Sequence, residues 1–136
     1  MGDLTKNLSR WEFKASNGEE IAVDFELVNA VQDSCDAFSR MMGKRVYIGI
    51  TSGYRPPVVN DATPGASRNS YHTKGMAADY HLYYFNGAGE KVRIKAKHLY
   101  TYLDRKYPVK FGLSLYVNRV HLDSRPTKWR DAKVKP

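Results

Sequence analysis

The spacing of hydrophobic positions along the chain predicts two amphipathic helices. Over residues 26–42 apolar side chains recur at steps of three and four, and Gly43 follows the last of them. The same spacing over residues 96–107 places Leu99 and Leu103 on one side. Such a stripe is buried against other elements, so we expect both helices to pack on a common core.

Runs rich in β-branched and aromatic residues predict a sheet of short strands. The expected strands are 46–51, 76–85, 92–94, 113–117 and 120–122. The last two are close enough to form a tight hairpin at Asn118-Arg119. Between the first two lies a loop, 52–70, whose length is typical of functional loops. One helix before the sheet and one within it predict an α+β domain with a mostly antiparallel sheet and flanking helices.

Length and composition suit one globular domain over residues 1–136. Hydrophobic residues make up 42% of the chain and charged residues 26%, which disfavours disorder and coiled coils. Residues 126–136 are basic, and we expect a partly ordered tail there. Cys35 is the only cysteine, so no disulfide can form within the chain and the core must stabilise the fold.

The charge is basic, with 22 Lys and Arg against 14 Asp and Glu. It favours an anionic partner such as nucleic acid, lipid or cell wall, and equally suits a solvated surface. Neither a nucleic-acid-binding motif nor an apolar run long enough to span a bilayer is evident. The first residues lack the apolar stretch of a secretory signal. We therefore expect a protein that is synthesised in the cytoplasm and has no nucleic-acid or membrane partner. We also expect it to be a monomer.

Three residues form a candidate zinc site: His72, Asp79 and His121. Catalytic zinc takes three nitrogen or oxygen ligands from the protein and leaves a fourth position for water. Taken singly, each has an ordinary interpretation as a surface, core or strand-end residue. As a set they would come from the end of the long loop, the second strand and the last strand.

The sequence around these residues carries a more specific signal. It contains SGYR at 52–55, SYHTKGMAAD at 70–79 and VHLDSR at 120–125. These motifs, in this order, resemble the D-Ala-D-Ala carboxypeptidase/endopeptidase-type zinc metallopeptidases, in particular a small branch common in phages. The resemblance extends over about residues 4–129. It implies a hedgehog/DD-peptidase-like fold and zinc-dependent hydrolysis of peptidoglycan stem peptides.

The resemblance also implies roles for individual residues. The three candidate ligands would hold the zinc, and Arg55 would face the substrate and stabilise the oxyanion of the tetrahedral intermediate. The alternative for Arg55 is a structural salt bridge. Ser70 and Tyr54 would bind the substrate peptide. Gly75 would allow the turn between two ligands. A phage or prophage enzyme of this type would digest the cell wall in the host periplasm after release, or act from the virion.

The general base is the point at which the pattern departs from the family. Many relatives carry an acidic residue three positions before the second histidine, where this chain has Asn118. Asp123 lies two residues after His121 and would share its face on a strand. It could act as the catalytic base, orient His121, or pair with an arginine, either Arg125 or Arg55.

His81 shares the expected face of Asp79 and is a weaker candidate for the base. If no base exists, the alternative function is a non-catalytic zinc-binding module of the same fold that binds cell wall or a protein partner. The resemblance implies three candidate bonds for cleavage: D-Ala-D-Ala, L-Ala-D-Glu and a cross-bridge.

Overall fold

A mixed sheet organises the chain. The computed structural model describes residues 2–64, 66–67 and 70–136, and within them the sheet has six strands. These are β1 Tyr47–Ser52, β2 Ala77–Phe85, β3 Lys91–Arg93, β4 Gly112–Tyr116, β5 Val120–Asp123 and β6 Trp129–Lys135. Their order is β1-β2-β5-β4-β6, with β3 paired to β2. All neighbours are antiparallel except β4 and β6, so the mostly antiparallel α+β expectation is confirmed.

Three α-helices accompany the sheet in the described residues: α1 Phe25–Met42, α2 Pro57–Ala62 and α3 Ala96–Lys106. Short 3₁₀ helices lie at Arg10–Phe13 and Tyr71–Lys74. The Asp24 carboxylate accepts from the Leu27 N–H at the start of α1, and Gly43 ends α1 in the left-handed region. No helix in this part of the chain is long and apolar enough to cross a membrane.

The core lies between α1, α3 and one face of the sheet. Tyr80 of β2 is fully buried there, and its hydroxyl is 2.8 Å from the Ser34 hydroxyl of α1. Side chains alternate along a strand, so Tyr80 and Leu82 face the helices while Asp79 and His81 face the other side. The face away from the helices therefore carries the polar residues of β2.

The long loop expected at 52–70 contains the helix α2, which the sequence analysis did not predict. Pro57 occupies its first turn, where the missing N–H costs no hydrogen bond. Six residues are too few to show a helical period, which explains the omission. Residues 65, 68 and 69 of the same loop lie outside the described residues.

Residues 126–136, where the sequence analysis expects a partly ordered tail, contain β6, which pairs in parallel with β4. The Trp129 N–H donates to the carbonyl oxygen of Phe111 at 3.0 Å. Arg130 donates to the same carbonyl and to the Asp104 carboxylate, each at 2.6 Å. Backbone pairing with an open sheet edge needs no apolar pattern, so composition alone could not reveal this strand.

Candidate metal centre

Two of the expected ligands are brought together by strand register. Asp79 of β2 lies directly opposite His121 of β5 in the antiparallel ladder, so both side chains project from the same face. Asp79 Oδ1 is 3.0 Å from His121 Nδ1. The pairing of β2 with β5 thus joins residues 42 positions apart in sequence.

The third expected ligand comes from the 3₁₀ helix at Tyr71–Lys74. His72 is buried, and its Nε2 lies 3.3 Å from Asp79 Oδ1. The Ser70 hydroxyl oxygen accepts from the His72 N–H at the start of this turn. Gly75 ends it with a φ of 69°, and a Cβ there would lie 2.7 Å from the carbonyl oxygen of Ala22. This confirms the backbone requirement expected at Gly75.

Hydrogen bonds to the outer ring nitrogens determine which nitrogen of each histidine faces the cluster. His72 Nδ1 donates to the carbonyl oxygen of Gly53 at 2.7 Å, which leaves a lone pair on Nε2. His121 Nε2 donates to Asp123 Oδ2 at 2.7 Å. When the ring is neutral, its lone pair is therefore on Nδ1, the nitrogen that faces Asp79. Such partners fix the tautomer and the ring orientation of metal-binding histidines.

The cluster fits a zinc ion. One ligand atom from each of the three residues lies within 4.8 Å of the others. With zinc bonds of about 2.0–2.1 Å, tetrahedral ligand atoms stand about 3.3 Å apart, close to the 3.3 and 3.0 Å found around Asp79 Oδ1. His72 Nε2 is buried and, among the described residues, lacks a hydrogen bond of acceptable geometry. An ion bound there would satisfy it.

Protonation of His121 competes with metal binding. Burial alone would lower the pKa of His121, but its hydrogen bonds with Asp123 and Asp79 outweigh burial and raise the pKa to about 9. Burial also disfavours the charge of Asp79, yet the hydrogen bond from His121 and the adjacent His72 ring hold the pKa of Asp79 well below its usual range. In the metal-free protein His121 is therefore protonated near neutral pH, and its positive charge stands where a metal ion would bind beside Asp79.

Asp123 lies on the far side of the His121 ring from the ligand cluster. Its side chain is fully buried, and it contacts His121 through Nε2 rather than through the ligand nitrogen. Arg125 Nε and Nη2 donate to its two oxygens, each at 2.7 Å. Among the roles left open by the sequence, these contacts favour the orientation of His121, together with the ion pair to Arg125, over the role of base.

Arg125 is itself held by aromatic rings. Its guanidinium carbon lies 4.6 Å from the ring centroids of both Tyr71 and Trp129. Gly112 leaves room for the ion pair, since a Cβ there would lie 2.4 Å from Asp123 Oδ2. Strand β6 thus supports the site through Trp129, a contribution that the sequence analysis missed.

The cluster opens into a cavity of about 740 Å³. The expected residues Arg55 and Ser70 line it, whereas Tyr54 and His81 are not among the lining residues. Lining residues outside the predicted site include Ser114, Tyr116, Arg119 and Lys135. The hairpin register could have identified Ser114, because it lies directly opposite His121.

The comparison with protein families decides the classification. A family model described as Peptidase M15 matches residues 5–123, which include all three candidate ligands. The chain belongs to the peptidase M15 family. This confirms the resemblance inferred from the motifs and identifies the chain as a member of a family of zinc-dependent metallopeptidases. No curated protein and no solved structure matches the chain.

Arg55 of this M15 peptidase lines the cavity beside the ligand cluster. Its backbone N–H donates to the carbonyl oxygen of His72 at 2.9 Å, so the residue is tied to a ligand-bearing turn. Its Nε is buried without a hydrogen bond in the described residues, and burial lowers the pKa of Arg55, with Asp79 opposing. It makes no ion pair with the described residues, in contrast to the structural salt bridge considered as its alternative.

The cavity offers few groups that could accept a proton. The side-chain carboxylates among its described lining residues are Asp79 and Asp123, and both are engaged by the cluster. Asn118 lies exposed at the hairpin and does not line the described cavity. His81 is buried, and neither ring nitrogen has a hydrogen-bond partner among the described residues. Burial, with Arg93 and Lys91, lowers its pKa to about 4.

Proposed function

We propose that this M15 peptidase hydrolyses peptidoglycan stem peptides, with zinc held by His72, Asp79 and His121. The observation that carries the proposal is the ligand cluster itself. Its three donor atoms converge at zinc-like spacing, and hydrogen bonds to the outer ring nitrogens hold both histidines with the other nitrogen turned inward. The cluster opens into a cavity large enough for a peptide segment.

The roles of the chain's own residues follow from their positions. Bound zinc supplies a water whose pKa falls from about 15.7 to about 7, and it polarises the substrate carbonyl. Arg55 donates hydrogen bonds to the oxyanion as charge develops. Ser70 at the cavity wall binds the peptide, and Tyr54 remains a predicted substrate contact although it does not line the cavity. Asp123 keeps His121 in the ligating tautomer.

We also propose that the protein is a phage or prophage wall-lytic enzyme. It would act as one monomeric domain over residues 1–136, on the wall of the host periplasm after release or from the virion. The net charge of +8 supports docking on an anionic wall. The resemblance to the small phage branch supports the origin.

A second candidate function is a non-catalytic zinc-binding module that binds cell wall or a protein partner. The described lining residues of the cavity provide no side-chain carboxylate that is free of the cluster. A hydrolase of this design must obtain its proton acceptor from another group or from water. One experiment, a cleavage assay of the zinc-loaded protein on peptidoglycan, separates the two functions.

Zinc-reconstituted protein should be incubated with purified peptidoglycan, and new amino termini should be identified by mass spectrometry. We expect a single class of cleaved stem-peptide bond, and its identity distinguishes carboxypeptidase from endopeptidase action. His72→Ala should abolish both zinc binding and cleavage. His98→Ala is the matched control, because His98 is exposed on α3 and should alter neither. Stoichiometric zinc without cleavage would support the non-catalytic module instead.

A further inference from the structure

The face of the sheet that carries the metal cluster continues along β2. Side chains alternate, so Asp79, His81, Tyr83 and Phe85 share this face. The rings of His81 and Tyr83 are 5.6 Å apart. At about 3.3 Å per residue, Tyr83 lies about 13 Å and Phe85 about 20 Å along the strand from Asp79.

Aromatic rings cluster at that distal end. Tyr47 of β1 lies opposite Tyr83 in register, and their rings stack at 5.3 Å with an interplanar angle of 17°. Phe85 contacts both edge-on, at 5.3 and 5.8 Å, and remains 48% exposed. Neither tyrosine hydroxyl has a hydrogen-bond partner among the described residues. The helices of the core lie on the opposite face, so core packing does not account for this group.

Two cations contact the rings, and a third, Arg93, lies on the neighbouring strand with its Nη1 donating to the carbonyl oxygen of Asn118 at 3.1 Å. The Arg45 guanidinium lies 4.7 Å from the Tyr47 centroid, and the Lys91 ammonium lies 4.2 Å from the Tyr83 centroid. Arg93 pairs with Tyr83 in the β2–β3 register. All three cations are exposed, and within the described part of the chain none forms an ion pair with a carboxylate. We call this surface the aromatic–basic patch: Arg45, Tyr47, Tyr83, Phe85, Lys91 and Arg93.

The chemistry of the patch suits an anionic saccharide. Sugar rings present apolar C–H faces that would pack on the exposed Phe85 ring, and their hydroxyls pair with phenol groups. The cations would attract carboxylates of the same polymer. Contacts between the cations and rings within the protein contribute only about 0.5–1 kcal/mol each at exposed sites, so internal stability is a weak reason for the arrangement.

We propose that the aromatic–basic patch binds the glycan strand of peptidoglycan while a stem peptide of the same polymer reaches the metal cluster. This inference rests on the proposed function. An extended peptide covers about 3.3–3.6 Å per residue, so about four residues span the 13 Å from Tyr83 to Asp79. The patch would hold the polymer and raise the local concentration of stem peptides at the cavity.

Binding to insoluble peptidoglycan should be measured by co-sedimentation with metal-free protein, so that no cleavage can occur. We expect Phe85→Ala and the double variant Lys91→Gln/Arg93→Gln each to weaken binding about tenfold. The matched control is Arg105→Gln/Lys106→Gln, which removes the same charge from exposed positions of α3. It should leave binding unchanged. Turnover of a short soluble stem peptide by the zinc protein should be unchanged in every variant.

Competition experiments identify the ligand of the aromatic–basic patch. Peptide-free glycan chains should displace the protein from the wall, whereas single-stranded DNA and phosphatidylglycerol vesicles should not. Unchanged binding in the patch variants, or an equal loss of binding in the control, would overturn the proposal. Displacement by DNA alone would overturn it and assign the patch to nucleic acid, and displacement by vesicles alone would assign it to a lipid surface. Since binding is read without turnover, a failure of the proposed peptidase activity would be seen separately, on the soluble peptide.

Discussion

Replacement of Asp123 by asparagine tests how the metal site is built. The carboxylate accepts from His121 Nε2 through Oδ2 and from Arg125 through both oxygens. Asparagine keeps one carbonyl oxygen but turns the other acceptor into a donor that faces Arg125 or His121. The variant therefore loses a charge-assisted hydrogen bond to a ligand while retaining nearly the same volume.

The magnitude follows from the role of such partners. Loss of a residue that orients a ligand typically costs 10–100-fold in metal affinity or activity, which is about 1.4–2.7 kcal/mol. A second effect acts in the opposite direction near neutral pH. Asp123 raises the pKa of His121 toward about 9, so the wild-type site also binds a proton that competes with zinc. The variant lowers that competition, so its deficit should be largest at about pH 9.5 and smaller at pH 7.

The assay is a zinc titration against a chromophoric chelator at several pH values, combined with turnover at saturating zinc. We expect weaker zinc binding and, once zinc is saturating, a modest change in turnover. Asp36→Asn is the control, because Asp36 pairs with Lys6 away from the metal site. Unchanged zinc affinity together with at least a 10²-fold loss of turnover would refute this reasoning and assign Asp123 as the general base.

Three further predictions concern separate features of the protein. Because the pKa of His121 is raised to about 9 in the metal-free protein, zinc affinity should rise about tenfold per pH unit from pH 7 toward 9 and then level off; a flat titration would contradict this. Arg55→Ala should lower turnover about 10²–10³-fold with zinc content unchanged, as measured by steady-state kinetics and metal analysis. Gly49→Ala should destabilise the fold by about 1–3 kcal/mol in urea unfolding, because a Cβ there would lie 2.4 Å from the His81 ring; Gly87→Ala, which meets nothing within 4 Å, should not.

Much of the fold was accessible from the sequence. Helices α1 and α3 and strands β1 to β5 appear within a residue or two of their expected positions, because each is encoded by a local period of apolar residues. The three ligand candidates were also identifiable, since two histidines and a carboxylate suit zinc and the motifs around them resemble those of a zinc peptidase family. Helix α2 and strand β6 were not, because one is too short for a period and the other depends on pairing with β4.

The division of roles within the site was decided by tertiary structure. The sequence indicated that Asp123 shares a face with His121. Only the tertiary structure shows that the Asp123 carboxylate pairs with Arg125, whose guanidinium contacts the rings of Tyr71 and Trp129. The aromatic–basic patch likewise depends on the register between β1, β2 and β3. Local patterns determine which residues can form an element and which side they face. Contacts between elements far apart in sequence arise only when the strands pair, and those contacts determine the chemistry of the site.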